Sequence, residues 1–369
     1  MLALDILKQI CHIPTASFYE EKIRNKLLTI CKKLFEDKVT ITEDKYGNVI
    51  VHYKGDPNRD NPKSIAYVAH IDHPAFHIEN NLLRMMGGLN SEVVVGCPVT
   101  LISKDHSQKE KTKITETIKD GEKIKYRTGK EDLSKFAFAI LDLPELTTIN
   151  NVIKAPVLDD LAGVAMSLAA LKEIVDNKTK SDVYVVLHIA EEVGLIGAYL
   201  IAKQKLLPKE TFVISIETSS YKKGKEVIAK VGNGIVIRQG DARIPAFNVQ
   251  ALEILREAGK NVQVQDLLLD AGGCEAGIYH ALGYRVAGAC MPLIAWHNNG
   301  ALEDQQTCIQ EGVHLNDLTT GVTLLTNAAR VLANNNYTFT PVVITKEQEE
   351  MHQRIKTTFE MYEKRNFFC

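Results

Sequence analysis

The sequence predicts an α/β protein: a mixed sheet flanked by helices, with a smaller β-rich domain inserted into it. From Val157 onward, short β-branched runs alternate with segments of helical periodicity, the rhythm of a sheet whose strands are joined through helices. The run Val183 to Ile189 is almost wholly Val, Tyr, Leu and Ile with one His, as a strand buried on both faces reads. Between about Phe76 and Ile153 that rhythm gives way to short β-like pieces separated by charged stretches, the mark of an inserted domain.

In order along the chain, Ala3 to Cys11 and Glu20 to Phe35 read as amphipathic helices. Ser17 with Glu20 three residues on reads as a capping box for the second. Val39 to Ile41 and Asn48 to Tyr53 form a hairpin turned at Lys45-Tyr46-Gly47. After the polar loop GDPNRDNPK comes the strand Ser64 to Ala69, ending on His70-Ile71-Asp72-His73. The insert offers strands at Glu92 to Val95, Val99 to Ser103 and Phe136 to Leu141, with KDHSQKEKTK and KDGEKIKYRTGKED as charged turns. Asp160 to Val175 has the spacing of a buried helix. Phe212 to Ile216, Ile235 to Arg238, Val262 to Leu268 and Ala287 to Ile294 are strands, and Ala246 to Ala258 and Leu315 to Ala333 are helices. A glycine-started helix, GGCEAGIYHALG, lies between the last two strands. Lys346 to Arg365 is a charged helix expected at the surface or in an oligomer contact. The layout is therefore residues 1–76 with 151–345, the insert 77–150, and the C-terminal helix 346–369.

Composition bounds the function. The 369 residues are 45% hydrophobic and 24% charged, as in ordinary globular proteins. Lys plus Arg is 44 against Asp plus Glu 46, a balance that points to neither a nucleic-acid nor a membrane-surface partner. No apolar stretch approaches the ~20 residues that span a bilayer, and the amino terminus lacks the pattern of a signal peptide. Seven scattered cysteines, with no CxxC pair, argue against a disulfide framework and for a cytoplasmic setting.

Four strand-like segments end on or run into metal-competent residues: His70, the Glu191-Glu192 pair, Glu217 and His297. Asp159, followed by Asp160, precedes a helix. Each has an ordinary reading, as a surface histidine, a solvated turn or a helix N-cap. Together they fall where open α/β sheets collect their ligands, at the carboxyl ends of strands. His, Glu and Asp suit zinc, cobalt or manganese rather than a thiolate site.

The motifs HID (His70 to Asp72), LDDLAG (Leu158 to Gly163), EEVGLIGA (Glu191 to Ala198) and GGCEAG (Gly272 to Gly277) occur in a fixed order, followed by His297. With the segment NLLRMMGGLNSEVVVGCPVTL of the insert, they make the chain resemble the dinuclear-metal aminopeptidases that assemble as tetrahedral dodecamers, the glutamyl, leucyl and deblocking aminopeptidases. The chain is similar, more loosely, to the wider zinc exopeptidase clan.

That resemblance implies a cytoplasmic homo-oligomer acting on peptide substrates with two divalent metal ions per chain, zinc first, with cobalt or manganese as alternatives. It implies that Asp159 bridges the metals, that His70 and Glu217 complete one ligand set, and that Glu192 and His297 complete the other. Asp72 is implied to orient His70, and Glu191 to be the general base. The residues depart from the family at Leu161 (usually arginine), His73 (usually glutamate), Glu217 and Glu275 (commonly aspartate) and Ala295-Trp296. His73 and His77 read as neighbours of the site or surface residues rather than ligands. Two rivals stand beside the aminopeptidase reading: a clan hydrolase acting on acylated amines or carboxyl-terminal bonds, and a binding or scaffold protein that has lost turnover.

Overall fold

The structure, a computed structural model, describes residues 1–56, 63–121, 123–223, 226–270, 272–302, 305–335 and 342–368. Most of the loop GDPNRDNPK lies outside them. An eight-stranded sheet forms the centre, in the spatial order Thr40–Glu43, Val49–Tyr53, Asp182–His188, Ser64–His70, Phe212–Ser220, Arg285–Leu293, Ile235–Arg238 and Val264–Leu267. The middle four strands are parallel. Strands 49–53 and 235–238 join them antiparallel, so the sheet is mixed.

Every residue of strands 64–70 and 182–188 is buried. Continuous apolar runs of this kind need cover on both faces. The helix Leu161–Asp176 is apolar nearly all round and buried from Leu161 to Leu171. It packs between the helix Leu315–Asn334 and the strands 64–70 and 212–220. Parallel register pairs His188 with His70 and Ser215 with Val68. His70, the turn after His188, and Glu217 therefore emerge at one edge of the sheet, where such folds place ligands.

Immediately after His73-Pro74, the strands Ala75–Glu79, Leu82–Met86, Pro98–Ile102, Lys109–Asp120, Lys123–Thr128 and Phe138–Leu141 close into a barrel with its own core, which includes Phe76, Leu83, Val99 and Tyr126. Two expectations fail here. Glu92 to Val95 forms a turn, with the Val93 amide donating to the Asn90 carbonyl. The charged stretches expected as turns are largely strands of a long hairpin. Alternate strand residues face opposite ways, and Ile114 and Tyr126 supply the inward face while Lys111, Lys113, Glu116 and Thr117 face water.

The C-terminal helix Lys346–Lys364 is capped by a true box between Thr345 and Gln348. It is not simply a surface element: Met351, Ile355, Phe359 and Tyr362 form one buried stripe. That stripe packs on the helices Ile196–Lys203 and Ala276–Ala281. Among the described residues, no helix is long and apolar enough to cross a membrane.

Candidate metal centre

His70 closes its strand with Nδ1 donating to the Asp72 carbonyl at 3.1 Å and Nε2 3.4 Å from Asp159 Oδ1. Fixing the proton on Nδ1 leaves the Nε2 lone pair free for a ligand. Of the paired aspartates, Asp160 caps the helix, accepting from the Gly163 amide at 3.2 Å, and Asp159 is left for other work. Its second oxygen, Oδ2, faces His297 Nε2 at 3.6 Å, and the same nitrogen lies 3.3 Å from Glu192 Oε1. His297 Nδ1 donates to the Gly88 carbonyl of the barrel at 3.0 Å.

The ligand atoms of His70, Asp159 and Glu217 lie within 4.8 Å of one another, as do those of Asp159, Glu192 and His297, and those of His70, Glu191 and Glu192. All five residues expected as metal ligands, and Glu191 with them, thus share one site. It floors a cleft of about 250 Å³ whose walls include Thr218, Arg238, Arg243 and Trp296. Asp159 Oδ1, Glu192 Oε1 and Glu217 Oε1 are buried without a hydrogen-bond partner. Converging carboxylate oxygens that accept no hydrogen bond are costly unless a cation shares them. Together with two imidazole nitrogens, they are the donor set of a divalent cation such as zinc, and the residues present fit one.

Two carboxylates hold the ligand turns by their backbones. Asp72 accepts the Glu191 amide at 3.0 Å on Oδ1 and the Glu192 amide at 3.2 Å on Oδ2. Glu311 accepts the Leu158 and Asp159 amides on Oε2, at 2.7 and 2.9 Å, and the His297 amide on Oε1 at 2.9 Å. Both turns use the left-handed region for non-glycine residues: Ala190 and Leu195 flank the glutamates, and Ala295, His297 and Asn298 form the other. Such strain persists only where the surroundings impose it, and it clusters at functional sites.

Strand 182–188 ends three residues before Glu191, so the two glutamates sit on a turn rather than alternating along a strand. The expected capping box fails. Ser17 Oγ donates to Asp72 Oδ2 at 2.7 Å, and Glu20, itself the N-cap position without a side-chain cap bond, receives the amides of Phe18 and Ala190.

The departures from the family pattern have structural answers. His73 has both ring nitrogens engaged, by the Asp159 carbonyl at 2.7 Å and Asn298 Oδ1 at 3.0 Å, and is no ligand. His77 bonds the Tyr19 hydroxyl away from the site. Leu161 is fully buried in the main core. Trp296 stacks on His297 with ring centroids 3.9 Å apart. Glu275 pairs with His188 beneath the site, at 2.6 Å. Sequence reasoning missed Glu311, Gly88 and Ser17. An acidic residue inside the strand Glu311–His314 and paired glycines after the strand Leu82–Met86 were the only signals.

Crowded carboxylates shape the electrostatics. Burial, opposed by His70 and reinforced by Glu192, Glu275 and Asp72, pushes the Glu191 carboxyl up to about 8. Burial would lower the His297 imidazole, but Glu192 and Asp159 hold it at about 10. Against the cost of burial, His70 and Ser17 keep Asp72 below the usual carboxylate range.

The lysyl aminopeptidase of Pyrococcus furiosus is 24% identical over 291 residues, 72% of this chain and 80% of its own length. The TET1 peptidase of Pyrococcus horikoshii, which can assemble into a tetrahedron or a large octahedral shell, shares the fold with a TM-score of 0.71 at 21% identity, over 89% of this chain and 99% of that one. The TET aminopeptidase of a marine-sediment Thaumarchaeota archaeon does so with a TM-score of 0.72 at 18% identity, over 95% and 98%. The family profile described as M42 glutamyl aminopeptidase matches residues 47–310, the stretch that holds His70, Asp159, Glu191, Glu192, Glu217 and His297, and the chain belongs to that family.

Proposed function

We propose that this chain is a metal-dependent aminopeptidase that removes the amino-terminal residue of a peptide, with Glu191 as general base. The observation that carries it is the division of Asp159: one carboxylate oxygen faces His70 and the other faces His297. This supports two cation positions sharing Asp159, one completed by His70 and Glu217, the other by Glu192 and His297. Zinc suits the donors, with cobalt or manganese as alternatives. When bound, such ions would supply a water far more acidic than bulk water and polarisation of the scissile carbonyl.

The remaining work falls to the chain's own side chains. Glu191 is close to His70 and Glu192 but is not needed to complete either set. A carboxylate held beside both cation positions but outside their ligand sets can take a proton from the attacking water and return it to the leaving amine. Asp72 holds the base through its backbone amide, which fixes the carboxyl without consuming it. Trp296, stacked on His297, narrows the cleft that receives the first residue. Assembly as a homo-oligomer, dodecameric like the tetrahedral shells of its structural relatives, belongs to the same reading, and light scattering of the purified protein tests it.

The deciding experiment combines metal analysis with kinetics of Glu191→Gln on a panel of aminoacyl-nitroanilides and N-acyl amino acids, with added zinc, cobalt or manganese. The expected result is bound metal in both proteins and a kcat about 10²–10⁴-fold lower in the variant. Full activity of the variant would overturn the role of Glu191. Cleavage of the acylated substrates alone would favour the deacylase instead.

A further inference from the structure

The family match ends at residue 310 and begins at 47, so neither the loop 16–20 nor the C-terminal helix lies within it. These two segments meet at Phe18. Its backbone sits at φ 72°, and its ring touches Tyr362, Phe367 and Phe368, with centroids 4.7, 4.8 and 5.2 Å away. On either side of Phe18 the chain bonds to the catalytic turn or to the carboxylate that holds it. Ser17 Oγ donates to Asp72 Oδ2 at 2.7 Å, the carboxylate that carries the Glu191 and Glu192 amides. Glu20 Oε1 accepts the Phe18 amide and the Ala190 amide, each at 2.9 Å. Loop 16–20 thus has its ring in the C-terminal aromatic cluster and its polar groups on Ala190 and on Asp72, the carboxylate that holds the Glu191 and Glu192 amides.

The helix reaches the same turn a second time. A Cβ on Gly194 would meet Thr358 Cγ2 at 3.2 Å, and one on Gly277 would meet Met351 Sδ at 3.4 Å beside Arg243 of the cleft wall. The helix therefore lies against the turn at Gly194, and its tail reaches the same turn through Phe18 and Glu20.

We propose that the C-terminal segment Lys346–Phe368 is a strap that positions the Glu191 turn, and that Phe18 is the positioning residue through which it acts. This rests on the reading of Glu191 as the base. No group of the strap enters the reaction. It limits the freedom of a turn that already holds Ala190 and Leu195 in the left-handed region, and so keeps the base aligned with its water.

The test uses the full-length protein with three changes: Phe18→Ala, the tail pair Phe367→Ala with Phe368→Ala, and the conservative Phe18→Tyr. The tail pair alters the same contact from the side of the tail, leaving Phe18 in place. Kinetics on the best aminoacyl-nitroanilide and amide hydrogen exchange at residues 190–192 are the readouts. Expected for Phe18→Ala and the tail pair is a kcat about tenfold lower with KM within about twofold, since a base out of line costs rate rather than binding. Exchange at 190–192 should quicken at least about tenfold while strand 212–220 keeps its rate, a local loosening. Phe18→Tyr should retain both properties of the parent.

Unchanged exchange at 190–192 in both strap variants would overturn the strap. Faster exchange with unchanged kcat would overturn its role in positioning. Glu191→Gln, run alongside, separates the two readings: an active Glu191→Gln protein removes the base itself, and normal kinetics of the strap variants beside a dead Glu191→Gln protein remove only the strap.

Discussion

Asp72 and Glu191 are joined through the backbone: the Asp72 carboxylate receives the Glu191 amide at 3.0 Å while the Glu191 side chain is left to face the cleft. The same carboxylate takes the Glu192 amide and the Ser17 hydroxyl and lies 3.5 Å from His70 Nδ1. One buried side chain therefore sets the relative positions of a proposed ligand strand and a proposed catalytic turn.

Asp72→Asn keeps the shape and loses one acceptor, because its NH₂ group must point at an amide or at Ser17. The expected outcome is a kcat about 10–100-fold lower, the usual effect of disturbing a group that orients metal ligands, with folding retained. Asp72→Ala also leaves two buried amide donors unsatisfied, at about 1–3 kcal/mol each. Steady-state kinetics and thermal melts of the two variants separate the catalytic from the structural loss.

The barrel enters the site through Gly88. A Cβ there would lie 2.5 Å from His297 Nδ1, inside any permitted contact, and the carbonyl that fixes the ring is on the same residue. Gly88→Ala should turn or displace His297 and weaken metal binding about 10–100-fold. Competition with a chromophoric chelator measures it. Gly129→Ala, in the same barrel with no neighbour nearer than 3.4 Å, should bind metal like the parent.

Glu20 predicts a pH effect with a definite sign. Burial, added to by the charge of Asp72, pushes its carboxyl up to about 8, from 4.5 in an unstructured chain. The fold therefore holds a proton that the unfolded chain releases above pH 4.5. The stability this proton brings is fully present below that pH, declines as pH rises toward 8, and is gone beyond it. Glu20→Gln mimics the protonated form. Its melting temperature relative to the parent should climb between pH 5 and 8 and then level off; a constant offset across that range would show Glu20 ionised throughout.

How much of this was legible depended on how far apart the partners lie. The five proposed ligands could be read because parallel strands deliver their carboxyl ends to one edge, so His70 and Glu217 announce themselves as polar residues at the ends of apolar runs. Glu311 could not, since its partners, Leu158, Asp159 and His297, are found only once the chain has folded. Ser17 was misread for a related reason. A serine ahead of a helix has a local use as a cap, and here a distant carboxylate outcompetes it. The barrel hairpin was hidden because only one face of each strand packs, leaving Lys and Thr to dominate the composition. The C-terminal helix showed its charge plainly, while the stripe of Met351, Ile355, Phe359 and Tyr362 had to be sought at helical spacing.

The single histidine in the apolar strand 182–188 carries the last prediction. His188 and Glu275 are both fully buried, Nδ1 to Oε1 at 2.6 Å, with Ser215 donating to the other carboxylate oxygen and the Tyr279 hydroxyl 2.9 Å from Nε2. The Glu275 charge helps to raise Glu217 and Glu191, after burial itself, so this pair lies electrically beneath the site. Removing one partner of a fully buried hydrogen bond leaves the other unsatisfied, at about 1–3 kcal/mol and more for a charged group. His188→Ala should therefore lower the unfolding midpoint far more than Tyr279→Phe, which deletes a single hydrogen bond at about 1 kcal/mol. His188→Gln, which keeps one donor for Glu275, should fall between them. Equal midpoints for His188→Ala and Tyr279→Phe would mean that the contact between His188 and Glu275 adds no more stability than one ordinary hydrogen bond.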